Sequence, residues 1–194
     1  MAGRPASRIR RALLPRRQPA FARDERGATA VEFGLLALPF FSILGAILET
    51  SLVLLSGQIL DSAVQDVSRL IRTGQAQQAA MTATGFKDQV CERLHGLFSD
   101  CDALHVEMDV IDQFSDVDMT PPVKWVCDLD DKPNECKAWT RPESFTPGTG
   151  SNIVTVQVYY RWPLIVPFGG FLGNLPDGSR LMGAATVFRN EPFT

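Results

Sequence analysis

The 194-residue sequence predicts an α+β protein. One long N-terminal helix, transmembrane in its first half and amphipathic in its second, precedes a small disulfide-bonded domain with an antiparallel sheet. Three observations predict this. A charge-free apolar run, Phe33 to Leu48, follows an arginine-rich leader. Apolar positions at helical spacing continue the run to Ile71. Strand-period alternation then recurs downstream, and all four cysteines lie after the apolar run.

Charge divides the chain before any motif does. Residues 1–27 carry eight arginines against Asp24 and Glu25, a balance of +6, whereas the rest carries −9. Basic residues after position 27 are scattered, which excludes a phosphate-binding surface and predicts no nucleic-acid partner. An apolar fraction of 45% with 21% charged residues excludes wholesale disorder.

The first element is a membrane helix. Ala28–Leu48 would span roughly 32 Å at 1.5 Å per residue, against a hydrocarbon core of about 30 Å. The preceding arginines hold the N-terminus in the cytoplasm, so the chain beyond the helix is exported. A cleaved secretory signal fits less well, because Glu32 and Glu49 border the run and Asp61 occupies a position before Ala63 where a small residue is wanted. Beyond Glu49 the apolar residues Ile59, Leu60, Ala63, Val64, Val67, Leu70 and Ile71 form one helical stripe, with Asp61, Gln65, Asp66, Arg69 and Arg72 opposite. Arg69 and Arg72 suit the negative end of the helix dipole, and Gly74 is a fitting stop. The prediction is one helix over 28–73, bent at Pro39 within the bilayer.

Residues 74–194 form the exported domain. Residues 75–84 read as a polar connector. Phe86, Val90, Leu94 and Phe98, four apart, predict a short amphipathic helix. Leu104, Val106, Met108 and Val110 alternate with His105, Glu107 and Asp109 as a half-buried strand. Two more strands are predicted over 152–162 and 184–189. Cys91, Cys101, Cys127 and Cys136, an even number on the exported side, predict two disulfides. Three pairings are open, and proximity favours Cys91–Cys101 with Cys127–Cys136. Intervals of nine and eight intervening residues do not suit zinc knuckles.

Catalytic motifs are absent: there is no G-x-S-x-G, G-x-x-x-x-G-K-[ST] or H-E-x-x-H. His105, Glu107 and Asp109 share one side of a strand, which could be a metal or acid–base cluster but reads better as a solvent face. Asp128, Asp130 and Asp131 resemble a calcium loop, yet Lys132 and Pro133 follow where the loop needs its glycine. No enzyme, cofactor or metal is predicted.

The string ERGATAVEFGLLALPFF carries most information. Gly27 ends the basic leader, Glu32 is the fifth residue after it and Phe33 the sixth. This resembles the type IVb prepilin pattern G/x4-E-F. More narrowly, GATAVEFGLLALPFF, then Glu49, then QDVSRLIRTGQAQ is similar to the TadE-like family of tight-adherence (Tad) pilus assembly proteins. The likeness extends to YYRWPLIVP and the terminal ATVFRNEPF. The family often has an aromatic residue after the intramembrane glutamate, where this chain has Thr50.

The resemblance implies a pilin-like fold and a minor pseudopilin of a Flp pilus, cut between Gly27 and Ala28 by prepilin peptidase. It implies major and minor pilin-like subunits and other pilus assembly machinery as partners, and an inner-membrane location with a periplasmic domain. Cleavage would remove the +6 leader and leave a charged amine on Ala28. The Glu32 carboxylate could pair with that amine or a neighbour's, offsetting its own burial penalty; the alternative is that Glu32 marks the headgroup boundary. Ser42, Gly45, Glu49 and Ser56 recur on one small, polar helix face. That face could meet another pilin helix, or Glu49 could simply sit at the outer membrane surface. The apolar segment 163–178 is too short to span a bilayer and reads as core cover or, second, as a partner-binding loop. The competing reading is an uncleaved single-pass scaffold or ligand-binding protein that keeps residues 1–27.

Overall fold

The computed structural model describes residues 25–128, 130, 132–165 and 172–193, and for Glu25, Arg26, Pro133 and Asn134 the backbone alone. The leader up to residue 24, Asp131 of the acidic loop and residues 166–171 of the apolar loop lie outside the described residues. The chain divides into two units, residues 1–42 and 43–194. The described part of the first unit is helical throughout and belongs to α1 (Glu25–Arg72), which contains Pro39.

Within the second unit, α1 is followed by α2 (Gln75–Gln78), α3 (Ala83–Arg93), β1 (His105–Ile111), a 3-10 turn (Phe114–Asp116), α4 (Pro133–Lys137), β2 (Ser144–Phe145), β3 (Ile153–Trp162) and β4 (Arg180–Arg189). The α1 stripe behaves as its spacing predicts. Leu60, Ala63, Val64, Val67 and Ile71 are buried, with Ile59 and Leu70 packed at the margin. Each fully buried large aliphatic side chain contributes about 1.5–3 kcal/mol, so this stripe alone holds the domain to its helix. α1 ends as Gly74 enters the left-handed region at φ 78° and donates its N–H to the Ile71 carbonyl at 3.1 Å. The Glu191 N–H donates to the Arg72 carbonyl at 2.9 Å, tying the C-terminal segment to the helix end.

Residues 75–84 are not a plain connector. They hold α2, whose Ala76 is buried, and the start of α3, where Thr82 is the N-cap and accepts the Gly85 N–H at 3.1 Å. Phe86, Val90, Leu94 and Phe98 are buried as their four-residue spacing predicts.

The sheet has strand order β2-β1-β3-β4. β1 pairs antiparallel with β3, Met108 opposite Val156, and β3 antiparallel with β4, Val158 opposite Ala184. The expected all-antiparallel sheet is corrected at one edge, where β2 runs parallel to β1 with Glu107 opposite Ser144. A two-residue strand is too short to show a period in sequence. It forms because the outer edge of β1 carries unpaired amides, and the Ser144 hydroxyl and Glu143 carboxylate accept two of them. β4 starts at Arg180, earlier than the expected 184, because Gly183 leaves room for the Tyr159 ring opposite. A Cβ there would lie 3.0 Å from that ring.

One sheet face carries Val106, Met108, Val154, Val156, Val158, Tyr160, Met182, Ala184 and Phe188, which share one core with the α1 stripe and α3. Phe98 packs edge-on against Tyr160 and Trp162, with ring centroids at 4.7 and 5.3 Å.

Cys91 bonds Cys101 and Cys127 bonds Cys136, with Cα separations of 5.9 and 5.8 Å. The first ties α3 to the turn before β1. Replacing Cys91 and Cys101 together by serine should cost about 2–3 kcal/mol, the loop-closure value for a cross-link of this span. A denaturation midpoint equal to that of the unaltered, detergent-solubilised protein would refute it.

Candidate functional site

The residues singled out by sequence fall into three groups with different surroundings. Gly27, Ala28, Glu32 and Phe33 lie in the first turns of α1, and all four are exposed. A Cβ added to Gly27 would meet nothing within 4 Å, so the fold does not require glycine there. Glu32 meets no cation among the described residues. From Val31 to Leu55 the large apolar side chains of α1 other than Val53 stand exposed, Phe33 at 69% and Leu54 at 64%. The helix is long and apolar enough to cross a membrane, and its most apolar window is wholly unburied. The hydroxyls along this stretch are satisfied within the helix itself. Ser42, Thr50 and Ser51 each donate to the carbonyl four residues back, at 2.7, 2.8 and 2.7 Å, as apolar surroundings demand.

The second group is the face of Ser42, Gly45, Glu49 and Ser56, and the structure splits it. Ser42 is exposed and Gly45 half-exposed. Glu49 and Ser56 are buried, at 4% and 0% exposure, in the second unit. Glu49 Oε1 accepts the Ile165 N–H at 3.1 Å. A loop of its own domain thus covers Glu49. Ser56 is likewise withdrawn from any outside contact. Helical spacing cannot reveal this, since the covering segment lies 116 residues away in sequence.

The third group is His105, Glu107 and Asp109, expected on a solvent face. His105 and Glu107 are instead 2% and 5% exposed, beneath a second layer formed by the segment after β1. Arg141 grips Glu107 with Nε at 3.2 Å and Nη2 at 2.8 Å, and also donates Nη2 to the Thr120 carbonyl at 2.7 Å. His105 Nε2 lies 3.2 Å from Glu107 Oε1, and its ring stacks on Trp139 with centroids 4.4 Å apart. The Arg161 guanidinium lies 4.8 Å from the Trp139 ring. From β3, the Tyr159 hydroxyl donates to Gln157 at 2.6 Å, and Gln157 donates to the Asp118 carbonyl at 2.8 Å. A strand with polar side chains toward a covering loop reads in sequence like one facing water. The one hint is the string WTRPE at 139–143, which supplies an aromatic ring, a guanidinium and a carboxylate together.

Electrostatics follow from these contacts. The hydrogen bond to Glu107 raises Arg141 above its already high pKa. Burial, reinforced by the Glu107 charge, raises the Tyr159 phenol. A groove of about 410 Å³ beside this layer is lined by Asp109, Asp118, Arg141, Thr155 and Gln157, among others. Its carboxylates are engaged: Asp109 accepts the Ser144 hydroxyl at 2.7 Å, and Asp118 accepts the Thr120 N–H at 2.8 Å. The chemistry this arrangement performs is cross-linking of a loop to a sheet.

Two predictions test that layer. Arg141→Met should destabilise the domain by about 2–4 kcal/mol, by stranding the buried Glu107; partial exposure of Arg141 keeps the cost below that of a fully enclosed pair. A change under half the lower figure in urea unfolding would refute the cross-link. Burial pushes the Asp177 carboxyl up, but the Ser179 hydroxyl and N–H and the Arg161 guanidinium outweigh it and hold its pKa below the usual 3.8. A lowered carboxylate stabilises above its unfolded pKa and loses that contribution as pH falls through the folded value. Stability should therefore drop below about pH 4, and Asp177→Asn should flatten part of that drop. Unfolding midpoints of both proteins, measured from about pH 5 down to about pH 2.5, decide it.

Residues 27–69 match the family model described as TadE-like protein. No curated protein and no solved structure matches the chain. The matched segment starts at the glycine of the G-x4-E-F string and ends inside α1, so the YYRWPLIVP and ATVFRNEPF stretches fall outside it. Over residues 27–69, within the helix that carries that string, the chain is similar to the TadE-like family.

Proposed function

We propose that this chain is a minor pseudopilin, or pilus assembly protein, of a tight-adherence type IVb (Flp) pilus. The TadE-like segment implies a Tad pilus-associated protein. The observation that carries the finer reading is the string Gly27-Ala-Thr-Ala-Val-Glu32-Phe33 at the start of an exposed apolar helix. In this reading prepilin peptidase cuts between Gly27 and Ala28 on the cytoplasmic face of the inner membrane. The Glu32 carboxylate then pairs with the new amine of its own or an adjacent subunit. Its exposure and lack of a cation among the described residues support such a role. A carboxylate inside a helix bundle requires a partner, and axial register follows from which amine supplies it.

Ser42 is exposed on α1 and would offer a small residue to a neighbouring pilin-like helix, close packing in membranes being favoured by small residues. The disulfide-bonded domain would lie in the periplasm, where other assembly components meet it. The protein acts by assembly, not by catalysis.

The test is the N-terminal sequence and intact mass of the protein from native membranes, with and without prepilin peptidase. A mature chain starting at Ala28, with precursor accumulating when the peptidase is absent, is expected. Gly27→Ala sharpens the test because the fold has room for the methyl group, and alanine in a helix is favoured over glycine by up to about 1 kcal/mol. Lost processing of that variant would reflect recognition at the scissile bond. An intact leader in both strains would establish the uncleaved scaffold instead.

A further inference from the structure

The exposed apolar band on α1 is longer than the run that first identifies it. It continues past Glu49 through Leu52, Leu54 and Leu55, at 39%, 64% and 50% exposure. Over this turn the helix is already one-sided, with Glu49 and Val53 buried at 4% and 6% and Ser56 and Leu60 fully buried. Phe33 to Leu55 spans roughly 33 Å at 1.5 Å per residue, which matches a hydrocarbon core of about 30 Å as well as the earlier stretch does. In that register Glu49 lies inside the band, six residues or roughly 9 Å short of Leu55.

A carboxylate at that depth facing lipid would cost several kcal/mol. Here it is 4% exposed, and its Oε1 accepts the Ile165 N–H at 3.1 Å. The same bond fixes Ile165 at the level of Glu49. Leu164 packs on the core, while Ile165 is 77% exposed. A lone exposed isoleucine on a watery surface needs no explanation. One pinned by its backbone to a buried glutamate, level with an exposed leucine band, does.

We infer that the domain is seated in the outer leaflet of the bilayer, with Ile165 and the Leu52–Leu55 turn in contact with acyl chains and Glu49 as the clip that sets the depth. The partner surface is lipid. The inference rests on the reading of α1 as a membrane anchor and adds that part of the exported domain is itself immersed.

The experiment uses the full chain reconstituted into phosphatidylethanolamine–phosphatidylglycerol vesicles. All four native cysteines are disulfide-bonded, so an introduced cysteine is the one free thiol for a nitroxide label. Labels are placed by Ile165→Cys, by Phe40→Cys on the exposed apolar helix, and by Val126→Cys, which is as exposed as Ile165 but far from Glu49 in sequence. Collision rates with oxygen and with a water-soluble nickel chelate report depth. The oxygen-to-nickel ratio at position 165 should exceed that at 126 several-fold and approach that at 40. A position-165 ratio equal to that at 126, with 40 in lipid, overturns the seating while leaving the anchor intact. A label at 165 shielded from both reagents means protein cover and also overturns it. Water-like ratios at both 40 and 165 would overturn the anchor reading and the seating with it.

Discussion

A single helix carries two kinds of surface, and the changeover that begins at Glu49 governs the rest of the chain. Up to Leu48 the large apolar side chains of α1 stand exposed; from Glu49, through Val53 and Leu60, one side of the helix is buried. A stripe of this kind is not stable in water unless another layer covers it. The sheet supplies that layer with an aliphatic face from β1, β3 and β4, and α3 fills the remaining margin with Phe86 and Val90. Even the helix end is tied in, since the Arg72 carbonyl accepts the Glu191 N–H from the segment after the last strand.

Covering one sheet face leaves the other to be dealt with. In this domain a polar layer covers part of the second face, while Asp109 and Ala185 stay exposed. Glu107 with Arg141, His105 on Trp139, and Gln157 with the Asp118 carbonyl fasten the segment between β1 and β2 across it. A buried ion pair of this type adds little net stability over a hydrophobic replacement, because desolvation consumes most of the Coulomb gain. What it adds is position: the planar fork of Arg141 accepts one orientation of the Glu107 carboxylate. A segment with so little regular structure would otherwise slide on the sheet. The Cys127–Cys136 bridge restricts the same segment further.

Helical and strand periods made most of this architecture legible. The α1 stripe, the four-residue spacing of α3 and the alternation of β3 each carry a period long enough to outweigh local exceptions. Three features were not legible, for separate physical reasons. β2 is two residues long and exists to pair an edge, so it has no period. The polar face of β1 looks the same whether water or an arginine-bearing loop lies above it. Glu49 sits at a helical position whose partner comes from far along the chain, and spacing along one helix reports only that helix. The motif at Gly27 was legible because it is written in contiguous residues.

That contrast separates residues the fold consumes from residues it leaves free. Glu49 and Ser56 are consumed: each is buried in its own domain, and altering either would disturb packing before it disturbed any partner. Gly27, Glu32 and Ser42 are free of such duties: Gly27 has open space where a side chain would stand, and Ser42 spends its hydroxyl on its own helix. Residues unconstrained by their own fold are where a recognition role can be examined without confounding it with stability. In the proposed reading Glu32 is the sharpest of these. Its carboxylate lies exposed in an apolar band, where an acid is expensive unless a cation arrives from outside the described chain. In that reading the amine released by cleavage after Gly27 would be such a cation, four residues away along the chain. Processing and assembly would in that reading be coupled through one charge, the carboxylate acquiring its partner only when the leader is gone.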